Sequence, residues 1–546
     1  MTTFARGLVV CTLAFMLSSC GSDSDVSSTG SSGSAVALSQ GAAWNPANQA
    51  TFYSTDQGSW IMPYQWAKAL KSANGQSFLS QLTSTFGYIP NPVSPSNPEG
   101  LPVGFLVANP GTNNQQLSMN CAACHTRQIE VGGVKHRIDG GPAFSNLYAF
   151  FQGIDLAVGN TLANAEAFEA FQAAVQVPAA TLRSQLSAWY MPYNTLMSSA
   201  LPSAPWGIGR ADAVGMIQNR LSGLDIGPIA NSHVIASNIA VAAQPVRYPF
   251  IWNSGKQDFT QLAGTNVNGN SSYSLTRNAG QAIGVFALFY PRSNASVSGG
   301  VDFLVENSIN YTNLLNIQNL VNQIGPPQWP WPVDNVLVFQ GKALYEKNCT
   351  SCHGIKQGQP RPGNSDTWAT PVQNVQTDNS YYKNFGVITT SSGVLSGLTA
   401  PFTTNVVPAS GAVSVSLVNA ANEYALVQWN PSIDLSIKSP ARPVGSFESK
   451  VLQGVWAAAP YLHNGSVPSL AALLTPAAAR PTSFQVGPVY DIINVGLAAE
   501  QPKGSATVRV TTDCSTMAGN SRCGHEFGTA LTQDEKTALI EYLKTL

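Results

Sequence analysis

Cys121-Ala-Ala-Cys124-His125 and Cys349-Thr-Ser-Cys352-His353 are the two stretches that decide how this chain is read. In each, two thiols stand three positions apart and a histidine follows directly, which is the attachment pattern of a c-type haem. The spacing has a chemical basis. The thiols add to the two vinyl groups along one edge of the macrocycle, and the adjacent His is thereby held under the iron as its proximal ligand. A bare Cys-x-x-Cys serves equally as a redox dithiol or as half a zinc site. The directly following His, and the repetition of the whole pattern, favour haem over both. The expectation is two covalently bound haem c, with Cys121, Cys124, Cys349 and Cys352 as thioether positions and His125 and His353 as iron ligands.

The remaining cysteines fit an exported protein. Eight Cys occur in the chain, and the two motifs use four. Cys11 lies in an apolar run, Leu8 to Leu17, that follows the basic Arg6. The run is too short to span a bilayer. Leu17-Ser18-Ser19-Cys20 then resembles a bacterial lipobox, cut before Cys20 and acylated there. Residues 1–19 therefore read as a lipoprotein-type signal peptide and Cys20 as the lipidation site. Ser22, rather than an Asp, gives no signal for retention in the inner membrane. The expected location is the periplasm or the cell surface, lipid-anchored to the outer membrane. Cys514 and Cys523 are the pair left over, and in an oxidising compartment they read as a disulfide.

Composition excludes other classes. Charged residues make up 10% of the 546 and the net charge is −1, with no basic stripe, so nucleic acid is not an expected partner. The length exceeds one ordinary core. Residues 20–39 are Ser- and Gly-rich and read as a flexible tether. Residues 40–327 read as an N-terminal haem c domain and 328–546 as a C-terminal one. Pro326-Pro-Gln-Trp-Pro-Trp-Pro332 is too stiff to continue a helix and marks the junction.

The expected fold is mainly α with extensive loops and short β-hairpins, arranged as two cytochrome c-like haem domains. Val336, Phe339, Ala343 and Leu344 place apolar groups on one helical face just before Cys349. Thr532 and Glu535 form a capping box that opens a C-terminal helix with Leu539, Tyr542, Leu543 and Leu546 on its apolar face. A helix before the motif crossing a C-terminal helix is how small cytochromes c enclose haem. Leu314, Ile317, Val321 and Ile324 give another core stripe. Residues 130–139 read as a hairpin turning at Gly132-Gly133, with His136 an exposed strand residue. Residues 385–430, rich in Val, Thr, Ser and Gly, read as strands and loops that elaborate the second domain.

Ala459-Pro-Tyr461-Leu-His463-Asn-Gly465-Ser-Val-Pro468 resembles the loop near the second haem of the bacterial di-haem cytochrome c peroxidase superfamily. The longer string Gly454 to Pro468 is more similar to the di-haem rubber-oxygenase-like branch. So are Cys124 to Ile129, Tyr248-Pro-Phe-Ile-Trp252, Arg277 to Phe286 and Cys523-Gly-His525-Glu-Phe-Gly-Thr529. The resemblance implies a haem-dependent oxidoreductase, peroxidase-like or oxygenase-like. Its first haem would be reactive and its second would transfer electrons. Expected partners are a small electron-transfer protein or other redox donor, with peroxide, dioxygen or an organic substrate at the reactive haem.

Only six His are available for iron. Typical peroxidases supply a Met to the second haem shortly after the Tyr-x-His loop, and residues 466–490 contain none. The resemblance instead implies a His from near the C-terminus, for which His525 is the first choice, His463 the second and Met517 the third. The reactive pocket at haem one is expected from Tyr248 to Trp252 and Arg277 to Phe286, with Gln281, Arg277 and Trp252 as the catalytic set. Gln281 stands where relatives often carry Glu, and an amide cannot accept a proton at neutral pH. That departure leaves three readings open: a peroxidase-like enzyme, an oxygenase of an apolar substrate, and a non-enzymatic electron carrier. An apolar wall at Phe250, Ile251, Ile283 and Phe286 would favour the second of these, and a distal His or Met on the first haem would favour the third.

Overall fold

Gly341 sets the packing at the C-terminal end of the chain. The computed structural model describes residues 35–228, 232–361, 367–385, 388–401, 405–504 and 506–546. Asp334 caps the helix Asn335–Asn348 by accepting from the amides of Val336 and Leu337, and the helix runs directly into Cys349. It crosses the C-terminal helix Gln533–Lys544, which opens with the expected Thr532/Glu535 capping box. At the crossing a Cβ on residue 341 would stand 1.9 Å from the carbonyl oxygen of Ala538, so only glycine permits this approach. The buried face of the first helix is therefore Gly341 and Tyr345. This corrects the expected stripe. Val336 and Phe339 are 66% and 78% exposed and lie on the outer face, because the close glycine contact, and not the largest apolar groups, faces the partner helix.

The first motif is held differently. Strand Gln116–Met119 forms the centre of a three-stranded sheet, between Trp60–Pro63 and Phe105–Ala108. It leads into a single 3-10 turn at Cys121–Ala123. Asn120 caps that turn by accepting from Ala122 N and ties it down by donating to the carbonyls of Phe52 and Thr55. The hairpin Thr126–Val131 and Val134–Asp139 follows directly, paired in the expected register about Gly132 and Gly133, both at positive φ.

Residues 35–546 form one compact unit. Its architecture is mixed. Fifteen α-helices and nine two- or three-stranded sheets occur among the described residues, so strands contribute more than a mainly α fold anticipates. One core packs Phe78, Phe86, Phe150 and Trp206. A second joins Phe52, Ile129, Trp252 and Ile317 to Trp456, Val486 and Leu539, and so draws on both sides of the proline-rich stretch. Within that stretch Trp329 and Trp331 pack edge-on against Trp456, whose indole N–H donates to Pro327 O. The stretch is thus a packed element of the core.

The third core corrects the reading of 385–430. Residues Ser414–Trp429 form a helix, and its Leu417, Ala421, Ala425 and Leu426 pack on Ile217, Ile283 and Phe289. The apolar spacing of a helix was present there. The surrounding Val, Ser and Thr, which favour strands and turns, masked it. The helix covers elements near the first motif, and is not an elaboration around the second. Residues 1–34, including the expected signal peptide, Cys20 and most of the tether, lie outside the described residues.

Candidate haem-binding sites

At the second motif the ring of His353 is fixed before any ligand is considered. Its Nδ1–H donates to the carbonyl oxygen of Lys450 at 2.6 Å, leaving Nε2 as the free donor atom. The ring that faces it is His525, with centroids 6.1 Å apart and planes inclined at 51°. Two imidazoles bound to one metal, each through a bond of about 2.0–2.1 Å, place their centroids about 6 Å apart. Burial, followed by the neighbouring His353 and Arg480, lowers His525 to about 4, so the ring is neutral, the form that binds a metal.

The segment carrying His525 is braced from three directions. Cys514 and Cys523 are joined in a disulfide. Gly524, at φ +78°, lies so close to the backbone of residues 376 and 377 that a Cβ would meet it at 2.4 Å. Arg480 is the main clamp. Its guanidinium donates to the carbonyls of Arg522 at 2.6 Å, Gly524 at 2.7 Å and His525 at 3.2 Å. It donates also to Thr475 O and Leu473 O. Arg480 stands in Ala-Ala-Ala-Arg-Pro, and nothing in that string signals the role.

A cavity of about 230 Å³ opens between the two rings, walled by Leu452, Val455, Leu470, Leu474, Leu539 and Leu543. His463 also reaches this wall, but its ring lies flat on Phe447 at 3.8 Å. Burial lowers its pKa to about 4, with Asp378 opposing and Arg247 reinforcing. Met517 is not on the wall. The loop around His463 is tied to the first half of the chain. Arg247 N donates to His463 O at 2.9 Å, Arg247 Nε donates to Leu462 O at 2.9 Å, and Arg127 donates to Ala459 O.

The first motif repeats the proximal arrangement. His125 Nδ1–H donates to Pro249 O at 3.0 Å, and burial lowers the ring to about 4. The adjoining cavity, about 220 Å³, is lined by Leu147, Val246, Phe250, Ile251, Val285 and Val321 among others. Among the described residues no His except His125 lines it. One thioether does: Met119, two residues ahead of Cys121, which the sequence reading did not consider.

Arg277 and Gln281 both reach this cavity from the helix Ser271–Gly284. Arg277 is held by donation to Asn268 Oδ1 at 2.8 Å and Gln318 Oε1 at 2.7 Å, and burial lowers it to about 10. Trp252 is on the wall of neither cavity. It stands behind Phe250, stacked at 4.7 Å, and its indole N–H donates to Gln453 O. Phe250 and Ile251 line the cavity as expected, while Ile283 and Phe286 are buried in neighbouring cores instead. His136 is half-buried edge-on against Trp331, not exposed, because the hairpin packs on the proline-rich stretch. His233 stacks on Tyr290 at 4.6 Å.

Arg247, Phe250, Leu262 and Lys450 line both cavities. Lys450 Nζ lies over the Phe250 ring at 5.2 Å, while its backbone oxygen orients His353. These residues fit a c-type haem. Four unpaired thiols stand beside two apolar cavities, each thiol pair is followed by an imidazole with Nδ1 already engaged, and two cations, Arg247 and Lys450, line both cavities and would suit the carboxylates of a haem.

Residues 446–485, which include Lys450 and the His463 loop, match the family described as RoxA-like, cytochrome c-like. Over most of its length the chain is similar to the uncharacterized protein y4iJ of Sinorhizobium fredii (strain NBRC 101917 / NGR234). The two are 28% identical over 586 aligned residues, 92% of each chain. A second protein of that strain, uncharacterized y4iM, is 27% identical over 219 residues, 40% of this chain and 46% of its own. Residues 446–485 thus match a RoxA-like, cytochrome c-like domain, which implies haem c and a haem-containing, oxidoreductase-like protein.

Proposed function

We propose that the protein is an exported di-haem c-type oxidoreductase with two unequal irons. The second would be six-coordinate and pass electrons; the first would keep an open position and react with peroxide or dioxygen. One observation carries this reading. An imidazole, His525, stands opposite His353 at ligand spacing, and no second imidazole lines the cavity of His125 among the described residues. Bound haem supplies an iron that changes oxidation state and, where a position is open, binds a small oxygen ligand.

The protein's own groups divide the work. His353 and His525 would together hold one iron, which suits electron transfer. Lys450 and Phe250 form the shared partition through which the two sites adjoin. Gln281 can orient an oxygen ligand by hydrogen bonding but holds no titratable proton, so it does not itself deliver protons. A small electron-transfer protein would supply the two electrons that reduce a peroxide, with two protons, to two waters. The lipobox at Cys20 supports export and a lipid anchor at the outer membrane. The similarity to a RoxA-like domain, together with the apolar wall at Phe250, Ile251 and Val285, supports a second reading, dioxygenation of an apolar organic substrate.

Carbon monoxide binding to the dithionite-reduced protein tests the proposal. One of the two haems should bind it. Binding by neither would make the protein a di-haem electron carrier.

A further inference from the structure

A small chamber lies against the first site on the side of the helix Ser271–Gly284. Its volume is about 50 Å³, and it lies, open to solvent on one side, between that helix, Ala213–Asn219 and Ser414–Trp429. Val214, Gln261, Arg277 and Gln281 belong to both this chamber and the cavity of His125. Amides dominate its polar lining. Asn419 stands at the exposed rim, Asn422 is 3% exposed within, and Gln281 is at the shared wall. The Oδ1 of Asn422 is buried without a hydrogen-bond partner, and its Nδ2 is the atom nearest Gly280. Gly280 keeps the space open. A Cβ there would lie 3.2 Å from Asn422 Nδ2.

We infer that this amide-lined chamber is the entrance by which a small, neutral, hydrogen-bonding oxidant of the size of hydrogen peroxide reaches the first haem. The chamber, at about 50 Å³, is smaller than the cavity of about 220 Å³ beyond it, and its chemistry selects. Amides donate and accept, which matches a molecule that does both. A preference for anions is not built in, because the one cation, Arg277, already spends its donors on Asn268, Gln318, Thr260 and Asn278. Gln281 then acts as a positioning residue, since it lines both spaces.

The inference rests on the first haem being the open one, and the test separates the two. Stopped-flow rates of hydrogen peroxide reaction and of cyanide association with the ferric holoprotein are compared in wild type, Gly280→Leu, Asn422→Leu and Asn419→Trp. Carbon monoxide stoichiometry is measured on the same samples. Gly280→Leu and Asn419→Trp should slow both rates at least tenfold, and Asn422→Leu about fivefold, with carbon monoxide stoichiometry unchanged at one per chain. Asn419→Trp, at an exposed position, decides the matter if the buried variants do not fold. Rates within twofold of wild type in a protein that binds carbon monoxide would overturn the entrance. A wild type that binds none would overturn the open first haem and the entrance with it.

Discussion

His353 and His525 stand face to face across one cavity, ring centroids 6.1 Å apart, although one closes a Cys-x-x-Cys-His motif and the other follows a disulfide near the C-terminus. The separation is that of two imidazoles sharing a metal. The first prediction follows from it. His525→Ala should convert the second haem from low spin to high or mixed spin in the optical and resonance Raman spectra, because only water or a weak donor can replace the ring. His463→Ala should leave the spin state unchanged, since His463 is stacked on Phe447 and does not oppose His353.

Arg480 is the positioning residue for that ligand. Its guanidinium donates to five carbonyls, three of them at residues 522, 524 and 525. Arg480→Met would leave several buried carbonyls unpaired, each costing about 1–3 kcal/mol. The variant should unfold at lower temperature and show a partly high-spin second haem. A variant that loses stability but keeps a fully low-spin spectrum would show that the clamp does not set the ligand.

The helix crossing at Gly341 gives a stability prediction. A side chain there must displace the Ala538 carbonyl, which lies 1.9 Å from the position of a Cβ. Gly341→Val should destabilise by about 3 kcal/mol or more, as severe overpacking does. Phe339→Ser, on the exposed face of the same helix, should change stability by less than about 0.5 kcal/mol. Chemical denaturation of both variants checks the contrast, and equal losses would contradict the packing described.

Asp225 predicts a pH dependence. It is wholly buried, neither carboxylate oxygen has a hydrogen-bond partner, and burial pushes it up to about 8 despite Arg220 at 3.6 Å. An unfolded Asp titrates near 3.9, so between about pH 4 and 8 the folded chain holds a proton that the unfolded chain releases. This contribution is complete below pH 4 and is lost as pH rises towards 8. Melting temperature should therefore fall across that window more steeply in wild type than in Asp225→Asn. Parallel curves would show that Asp225 is ionised in the folded protein.

Much of the site chemistry was legible because it is local in sequence. The two motifs, the capping box at Thr532, the hairpin at Gly132-Gly133 and the pairing of Cys514 with Cys523 are each specified within a few residues. What was missed depends on distant neighbours. Phe339 looked like a core residue until Gly341 was seen to be the contact point, and a glycine carries no hydrophobic signal. The helix Ser414–Trp429 is built from residues that favour strands, and packing on Ile283 and Phe289 overrides that preference. Arg480, Lys450 and Met119 gained their roles from contacts that no short motif encodes. Trp252 had the right company in sequence, but Phe250 takes the place on the cavity wall.

The central claim is that two haems sit in one chain with unequal coordination. Electron paramagnetic resonance of the ferric protein as purified, quantified against haem content by pyridine haemochrome, tests it most directly. The account predicts two haems per chain, one giving a low-spin signal of a bis-imidazole iron and the other a high-spin signal. Removal of His525 should abolish the low-spin component alone. A single haem per chain, or two low-spin irons in equal amount, would contradict it.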